Sequence, residues 1–83
     1  MKDEYVTYAL YSKSFNKIYI GFTSNLIARF LSHNKLGKGY TKKFRPWIVV
    51  YVEFFDCKKN ALHREKELKS SRGRNFIRNI IDK

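Results

Sequence analysis

Residues 5–23 read YVTYALYSKSFNKIYIGFT, and this stretch decides how the chain begins to fold. Tyr5 to Ser12 carries no charge and is rich in aromatic and β-branched residues, which predicts a strand with substantial burial. Lys17 to Phe22 alternates isoleucine with tyrosine and glycine, the period-two pattern of a second strand. Since only a short polar turn from Ser12 to Asn16 joins them, the two strands are expected to form an antiparallel hairpin.

A helix is predicted directly after the hairpin. Thr23 or Ser24 can cap its start, and Asn34 is expected to end it. One apolar stripe recurs there at helical spacing and comprises Leu26, Ile27, Phe30 and Leu31. Residues Lys35 to Pro46 then predict a loop, because they hold two glycines, the single proline and five basic residues without an acid.

The second half of the chain predicts one strand and two helices. Trp47 to Phe55 is almost continuously apolar, which suits a strand covered on both faces and predicts a central position in the sheet. A helix is expected from Cys57 to about Ser70, with Asp56 as its cap and Asn60 as the alternative cap. The residues predicted to break the chain after it are Ser70, Ser71 and Gly73. A last short helix is expected over Asn75–Ile81.

These elements follow the order β-β-α-β-α-α within one domain, residues 1–83. The predicted fold class is α/β, a small α/β sandwich with a central three-stranded sheet and helices packed on it. The hydrophobic fraction of 43% favours a folded globule over a disordered tail. A chain of 83 residues buries only a modest core, so the sequence leaves no room for a separate specificity domain.

The charge of the chain indicates an anionic partner. Its 18 Lys and Arg residues against 7 Asp and Glu residues give a net charge of +11, and nucleic acid is the simplest partner for that excess. A basic protein without a particular partner is the weaker interpretation, because the charge is also clustered. Cys57 is the single cysteine, so an internal disulfide is excluded. The absence of a secretory signal and of an apolar stretch long enough for a membrane favours a cytoplasmic location.

Glu65 differs from the other acidic residues in its predicted position. On a helical wheel, Ala61, Leu62 and Leu68 define the apolar arc of its helix, Glu65 falls inside that arc, and Glu67 points nearly the opposite way. An ionised carboxylate that faces a core is costly unless it is paired or binds a metal. The alternative to a functional role is therefore a salt bridge to a nearby Lys or Arg.

Four further side chains are candidates for chemistry. Arg29 and His33 lie four residues apart and so share one face of the first predicted helix, where a solvated helix flank is the alternative interpretation. Tyr8 and Tyr19 lie on the two hairpin strands and can approach each other across the pair. Ordinary aromatic packing is the commoner use of such tyrosines, and the pattern by itself favours it.

Taken in order, these residues resemble the signature of the GIY-YIG endonuclease superfamily. Tyr19-Ile20-Gly21 is a literal YIG, and Val6-Thr7-Tyr8 stands in the place of GIY, with only its tyrosine retained and ten residues between Tyr8 and Tyr19. Thr23, Leu26, Arg29 and His33 follow in the family's helix pattern. The segment 64–69, REKELK, is similar to that of the short, stand-alone members, which are related to the N-terminal incision domain of the excision-repair nuclease.

The resemblance implies a metal-dependent endonuclease that hydrolyses DNA phosphodiester bonds, in DNA repair or processing. It assigns Glu65 as the ligand of one Mg²⁺ or Mn²⁺ ion, and Tyr8 and Tyr19 as phenols of the catalytic site, one of them the general base. Arg29 would face the scissile phosphate, and His33 would assist proton transfer. The implied products carry a 5′ phosphate and a 3′ hydroxyl.

Contacts with nucleic acid are expected from the basic loop and from the last helix. The candidate residues are Lys35, Lys38, Lys42, Lys43, Arg45, Arg72, Arg74, Asn75 and Arg78. Such contacts provide affinity without sequence selectivity. DNA is the expected partner, with RNA left open, and the chain is expected to be a monomer or weak homodimer, with or without a targeting protein. The alternative functions are a nucleic-acid-binding module that does not cut and a protein that docks on an acidic partner.

Overall fold

The computed structural model describes residues 5–26 and 43–82. Three strands form one sheet, β1 (Tyr5–Ser12), β2 (Lys17–Thr23) and β3 (Ile48–Phe55), and two helices follow, α1 (Lys58–Lys69) and α2 (Ser71–Ile81). The strand order is β2-β1-β3 with both pairings antiparallel, which confirms the predicted fold class of a three-stranded sheet with packed helices. The helix predicted after the hairpin and most of the predicted basic loop lie outside the described residues.

The core lies on both faces of β1, and neighbouring side chains of this strand point to opposite faces. On one face, Tyr8 and Leu10 pack with Trp47. On the other face, Ala9 packs with Ile20 of β2 and with apolar residues of the two helices. Because every residue from Val6 to Leu10 is buried, β1 is the strand that is covered on both faces.

The prediction that the strand ending at Phe55 is central was wrong. β3 lies at an edge of the sheet, and Ile48 and Phe54 are 51% and 59% exposed. A continuous apolar run shows that a segment is hydrophobic. It does not show which strands lie beside that segment, because strand pairing involves residues distant in the chain. β1 takes the centre because a tight turn pairs it with β2, while its other edge remains open to β3.

The predicted hairpin is confirmed. β1 and β2 pair in register from Val6 opposite Thr23 to Ser12 opposite Lys17. Asn16, the last residue of the turn, has a φ of 54°, which is the left-handed conformation that asparagine tolerates better than most residues. The hairpin therefore closes where its sequence carries the right turn residue.

α1 buries two of the three apolar residues that the helical wheel predicted. Ala61 and Leu68 are buried, Leu62 is half-buried, and the helix contacts all three strands. Its N-cap residue is Cys57, whose side chain makes no capping hydrogen bond, so the prediction of Asp56 or Asn60 as the cap was wrong. Packing of its apolar face against the sheet stabilises this helix.

α2 begins at Ser71, four residues earlier than predicted, and the expected break is reduced to Ser70. The hydroxyl of Ser70 accepts a hydrogen bond from the backbone N–H of Gly73 at 3.2 Å and so caps the new helix. Gly73 lies inside the helix, where an added Cβ would come within 2.2 Å of the carbonyl oxygen of Glu67. This glycine permits the close approach of two helices, a contact that local sequence patterns do not show.

Candidate active site at the edge of strand β2

Tyr8 and Tyr19 lie together over Gly21. Tyr8 pairs directly with Gly21 across the hairpin, and the Tyr8 and Tyr19 ring centroids are 6.4 Å apart. A Cβ on Gly21 would come within 2.6 Å of the Tyr8 hydroxyl oxygen and 3.1 Å of Cε1 of Tyr19. The Tyr8 phenol thus reaches from the central strand across β2, toward the edge of the sheet, through space that only a glycine leaves open.

Two aromatic side chains that follow residues 27–42, Phe44 and Trp47, support this tyrosine pair. The Trp47 ring lies edge-on to Tyr19, with centroids 6.2 Å apart, and edge-on to Phe44 at 6.3 Å. Trp47 is 1% exposed. The sequence placed Trp47 in a strand, but the structure uses it just before β3 as a support for the tyrosines. Its large apolar side chain directly after the only proline is the signal that could have marked it.

Glu65 occupies the sheet-facing side of α1, as the wheel predicted. Its side chain is 14% exposed, whereas that of Glu67 is 52% exposed. The Lys69 Nζ lies 3.6 Å from Oε2 of Glu65, so the salt-bridge alternative is present in the structure. Lys69 itself is 51% exposed, and an ion pair with so accessible a lysine contributes little stability and is easily exchanged.

The tyrosine pair and α1 lie on opposite faces of the sheet. The Thr7 hydroxyl donates a hydrogen bond of 2.7 Å to the carbonyl oxygen of Ala61, so Thr7 points toward α1. Tyr8 is the next residue in the strand and therefore points away from α1. A site that includes Tyr8 and Glu65 has to lie around an edge of the sheet rather than on one face.

The orientation of α1 identifies that edge. Nε of Arg64 lies 2.9 Å from Oε1 of Glu53 on β3, so the Arg64 flank of α1 faces β3. On the helical wheel, Glu65 lies on the other side of the buried Ala61 and Leu68. Since the strand order is β2-β1-β3, the Glu65 flank faces β2. The Glu65 flank of α1 and the tyrosine pair therefore lie toward the same edge of the sheet, on opposite faces.

The Arg64 cluster on the other flank was not foreseen. Tyr51 donates a hydrogen bond of 2.7 Å to the Glu53 carboxylate that Arg64 also binds, and the Arg64 guanidinium lies over the Phe76 ring. Hydrogen bonding with Tyr51, and then with Glu53, raises the pKa of Arg64 against the opposing effect of burial. The only acid in an apolar strand is a signal of such a paired side chain. The cluster ties α1 to β3 and so sets which flank of α1 is turned toward β2.

The remaining predicted site residues divide into two groups. Arg29, His33, Lys35, Lys38 and Lys42 lie outside the described residues. Of the others, the exposed residues are Lys43, Arg72, Arg74 and Asn75, while Arg45 is half-buried.

Arg78 has a structural contact that its predicted role did not include. Its Nη2 donates to the carbonyl oxygen of Asn16 at 3.1 Å, its Nη1 donates to the side-chain oxygen of Asn16, and its guanidinium lies 5.9 Å over the Tyr11 ring. These contacts commit Arg78 to the hairpin turn. They also attach α2 to the hairpin that carries the tyrosine pair.

The donor set at the β2 edge fits a cation that keeps much of its water shell. Within residues 5–26 and 43–82, no group of three or more His, Cys, Asp and Glu side chains could hold a metal ion. Glu65 contributes one partly buried carboxylate, and Mg²⁺ commonly binds through one or two carboxylates, water and substrate phosphate. A site with two metal ions needs several bridging carboxylates and is not formed by these residues.

Across the described chain, no helix has the length and apolarity needed to cross a membrane.

The fold and the tyrosine-glycine hairpin place the chain in a class of small α/β nuclease-type domains. Residues 4–78 match the GIY-YIG catalytic domain, and the chain belongs to that family. A UPF0213 protein of Staphylococcus haemolyticus is 47% identical over 57 residues, which cover 66% of this chain and 68% of the relative. A UPF0213 protein of Staphylococcus saprophyticus is 38% identical over 69 residues, covering 82% of this chain and 83% of the relative.

A solved structure has the same fold. The solution NMR structure of the UPF0213 protein BH0048 from Bacillus halodurans matches with a TM-score of 0.56 and 24% identity, covering 93% of this chain and 84% of that chain. The matched family and these relatives agree with the family resemblance identified from the sequence. The chain is therefore a member of a family of small GIY-YIG domains.

Proposed function

We propose that the protein is a metal-dependent endonuclease that hydrolyses DNA phosphodiester bonds at the β2 edge. The observation that carries the proposal is that the Glu65 flank of α1 faces β2, the strand on which the Tyr8 and Tyr19 phenols lie over Gly21. A partly buried carboxylate and two phenols at one edge of the sheet offer both a cation ligand and a proton acceptor. Membership of the GIY-YIG catalytic domain family supports the same reaction class.

In this mechanism, water attacks phosphorus and the bond from phosphorus to the 3′ oxygen breaks. The proton of the attacking water passes to a tyrosinate, and the departing 3′ oxygen takes up a proton from solvent water. Tyr19 suits the role of general base better than Tyr8, because Tyr19 is half-buried whereas Tyr8 is 2% exposed. A free phenol titrates at about pH 10, so a tyrosine base needs a neighbouring cation such as Arg29 or Lys17 to lower its pKa. A Mg²⁺ or Mn²⁺ ion bound by Glu65 would supply positive charge for the departing 3′ oxygen.

The proposal is tested by nicking of supercoiled plasmid with Mg²⁺, with Mn²⁺ and with a chelator. Glu65→Gln keeps the size of the side chain but removes its charge, and we expect it to lower the nicking rate on the order of a hundredfold or more. Glu67→Gln is the matched control, because Glu67 lies on the same helix, carries the same charge and faces away from β2. Full activity in Glu65→Gln, or in chelator, would contradict the proposal.

A second candidate function is a nucleic-acid-binding module that does not cut. The ion pair between Lys69 and Glu65 favours it, because a lysine at 3.6 Å competes with a metal ion for the carboxylate. The net charge of +11 is consistent with both functions. The same assay separates them, since a binding module would show salt-dependent binding to DNA and no nicking with either metal ion.

We further propose DNA rather than RNA as the substrate, a setting in DNA repair or processing, and a cytoplasmic location. The support is the resemblance to the incision domain of excision-repair nucleases, together with the small size and basic charge of the chain. Parallel cleavage assays on duplex DNA, branched DNA and RNA test the substrate. Equal cleavage of RNA would contradict the choice of DNA.

A further inference from the structure

The charges of α1 are divided between its two flanks. Four exposed lysines lie within an arc of about 100° on the wheel, on the side of Glu65. We call this set the lysine flank, and it comprises Lys58, Lys59, Lys66 and Lys69. Arg64 and Glu67 lie on the other flank and pair with each other at 3.5 Å. The positive charge of α1 is therefore concentrated next to the β2 edge.

The lysine flank has little internal compensation. Glu65 is the only acid on that side of α1, and it is mostly buried at 14% exposure. Lys66 and Lys69 are three residues apart, a spacing at which like charges repel each other on a helix surface. The helix also has no acidic residue in its first turn, where an acid would stabilise it. These lysines lower the stability of the helix through their mutual repulsion. Their arrangement is explained by an anion that binds there.

The length of the flank fits a nucleic acid backbone. Lys58 and Lys69 are separated along the helix axis by about 16 Å at about 1.5 Å per residue. Along one strand of duplex DNA, phosphates recur about every 3.4 Å of the helix axis. The lysine flank can therefore follow a short run of consecutive phosphates, which an isolated anion or a small metabolite would not fill.

We infer that the lysine flank of α1 binds the backbone of the duplex beside the scissile phosphate, so that the DNA follows α1 past Glu65. The inference rests on the proposed function, because Glu65 identifies the β2 edge as the place where the backbone is cut. It adds a substrate-binding surface to the basic loop and the last helix, on which the sequence had placed all the DNA contacts. Lys69 would then leave its ion pair with Glu65 and bind a phosphate when DNA binds.

The test measures binding rather than cleavage. A fluorescent duplex is titrated with Lys59→Gln, Lys66→Gln and the double variant, each in the Glu65→Gln background so that the duplex stays intact. The slope of log affinity against log salt, between about 50 and 200 mM, is expected to become shallower by about 0.9 for each lysine removed. Lys66→Arg keeps the charge and should restore the slope.

Lys13→Gln is the matched control, because Lys13 is also exposed and loses the same charge, but lies in the hairpin turn. Its slope should stay at the parent value. Equal slopes for Lys13→Gln, Lys59→Gln and Lys66→Gln would overturn the inference, even where plasmid nicking supports the proposed function. Conversely, shallower slopes in a protein that never nicks DNA would support the binding surface and contradict the proposed nuclease function.

Discussion

At the scale of a single residue, the contacts of Gly21 explain why the YIG tripeptide ends in glycine. The space above its Cα is filled by the Tyr8 hydroxyl group and by the edge of Tyr19. A side chain there would displace the Tyr8 phenol, which reaches from β1 over β2. The glycine therefore acts on the site through the position of Tyr8, and its own backbone takes no unusual conformation in that role.

Gly21→Ala is expected to destabilise the protein by about 1–3 kcal/mol, since overpacking costs that much where a neighbour has to move. Nicking should fall at least about tenfold, because Tyr8 is displaced within the site. The contact predicts a specific double-mutant cycle. In a Tyr8→Ala background, where the phenol is absent, Gly21→Ala should cost much less stability by urea unfolding. Equal costs in the two backgrounds would show that the Tyr8 contact is not the cause.

At the scale of the elements, Gly73 decides how α1 and α2 meet. An alanine in a helix interior is ordinarily favoured over glycine by about 1 kcal/mol. Here, however, the added Cβ would come within 2.4 Å of the Leu68 Cα and within 2.2 Å of the Glu67 carbonyl oxygen. Both are backbone atoms, which cannot rotate out of the way as a side chain can.

Gly73→Ala is therefore expected to lower the free energy of unfolding by about 2 kcal/mol or more, opposite in sign to the helix propensity. Urea unfolding by circular dichroism measures the change. Ser71→Ala is the control, since Ser71 is exposed on the same helix and its replacement should change stability by less than about 0.5 kcal/mol. A Gly73→Ala protein as stable as the parent would mean that the two helices can separate at no cost.

At the scale of the whole molecule, the excess of positive charge opposes the compact state. A net charge of +11 on 83 residues leaves cations repelling one another in the folded protein more than in the expanded chain. The described ion pairs, such as Arg64 with Glu53, are at least partly exposed and offset only a small part of this repulsion. DNA would remove it directly, by placing phosphates next to the lysine flank.

The melting temperature of the free protein is therefore expected to rise as NaCl is increased from about 50 to 500 mM, as screening weakens the repulsion. A gain of about 1 kcal/mol would raise it by about 4–8 °C in a domain of this size. Thermal unfolding followed by circular dichroism measures the shift. A melting temperature that falls with salt would show that attractive ion pairs outweigh the repulsion.

The features that depend on residues close together in the chain were predictable. The hairpin follows from a short turn between two alternating segments, and the position of Glu65 on the buried side of α1 follows from helical spacing over a few residues. The resemblance to the GIY-YIG family rested on the order of Tyr8, Tyr19 and Glu65 along the chain. Local spacing and residue order can both be read directly from the sequence, so the sequence by itself determined these features.

Tertiary structure alone decided how those pieces meet. The edge position of β3 depends on which strand β1 pairs with, and the early start of α2 depends on a glycine at a helix crossing. The orientation of the Glu65 flank toward β2 depends on Arg64, which holds the other flank of α1 against β3. The physical reason is common to all three, because each is set by contacts between different elements of the fold, whose energies do not appear in any local period.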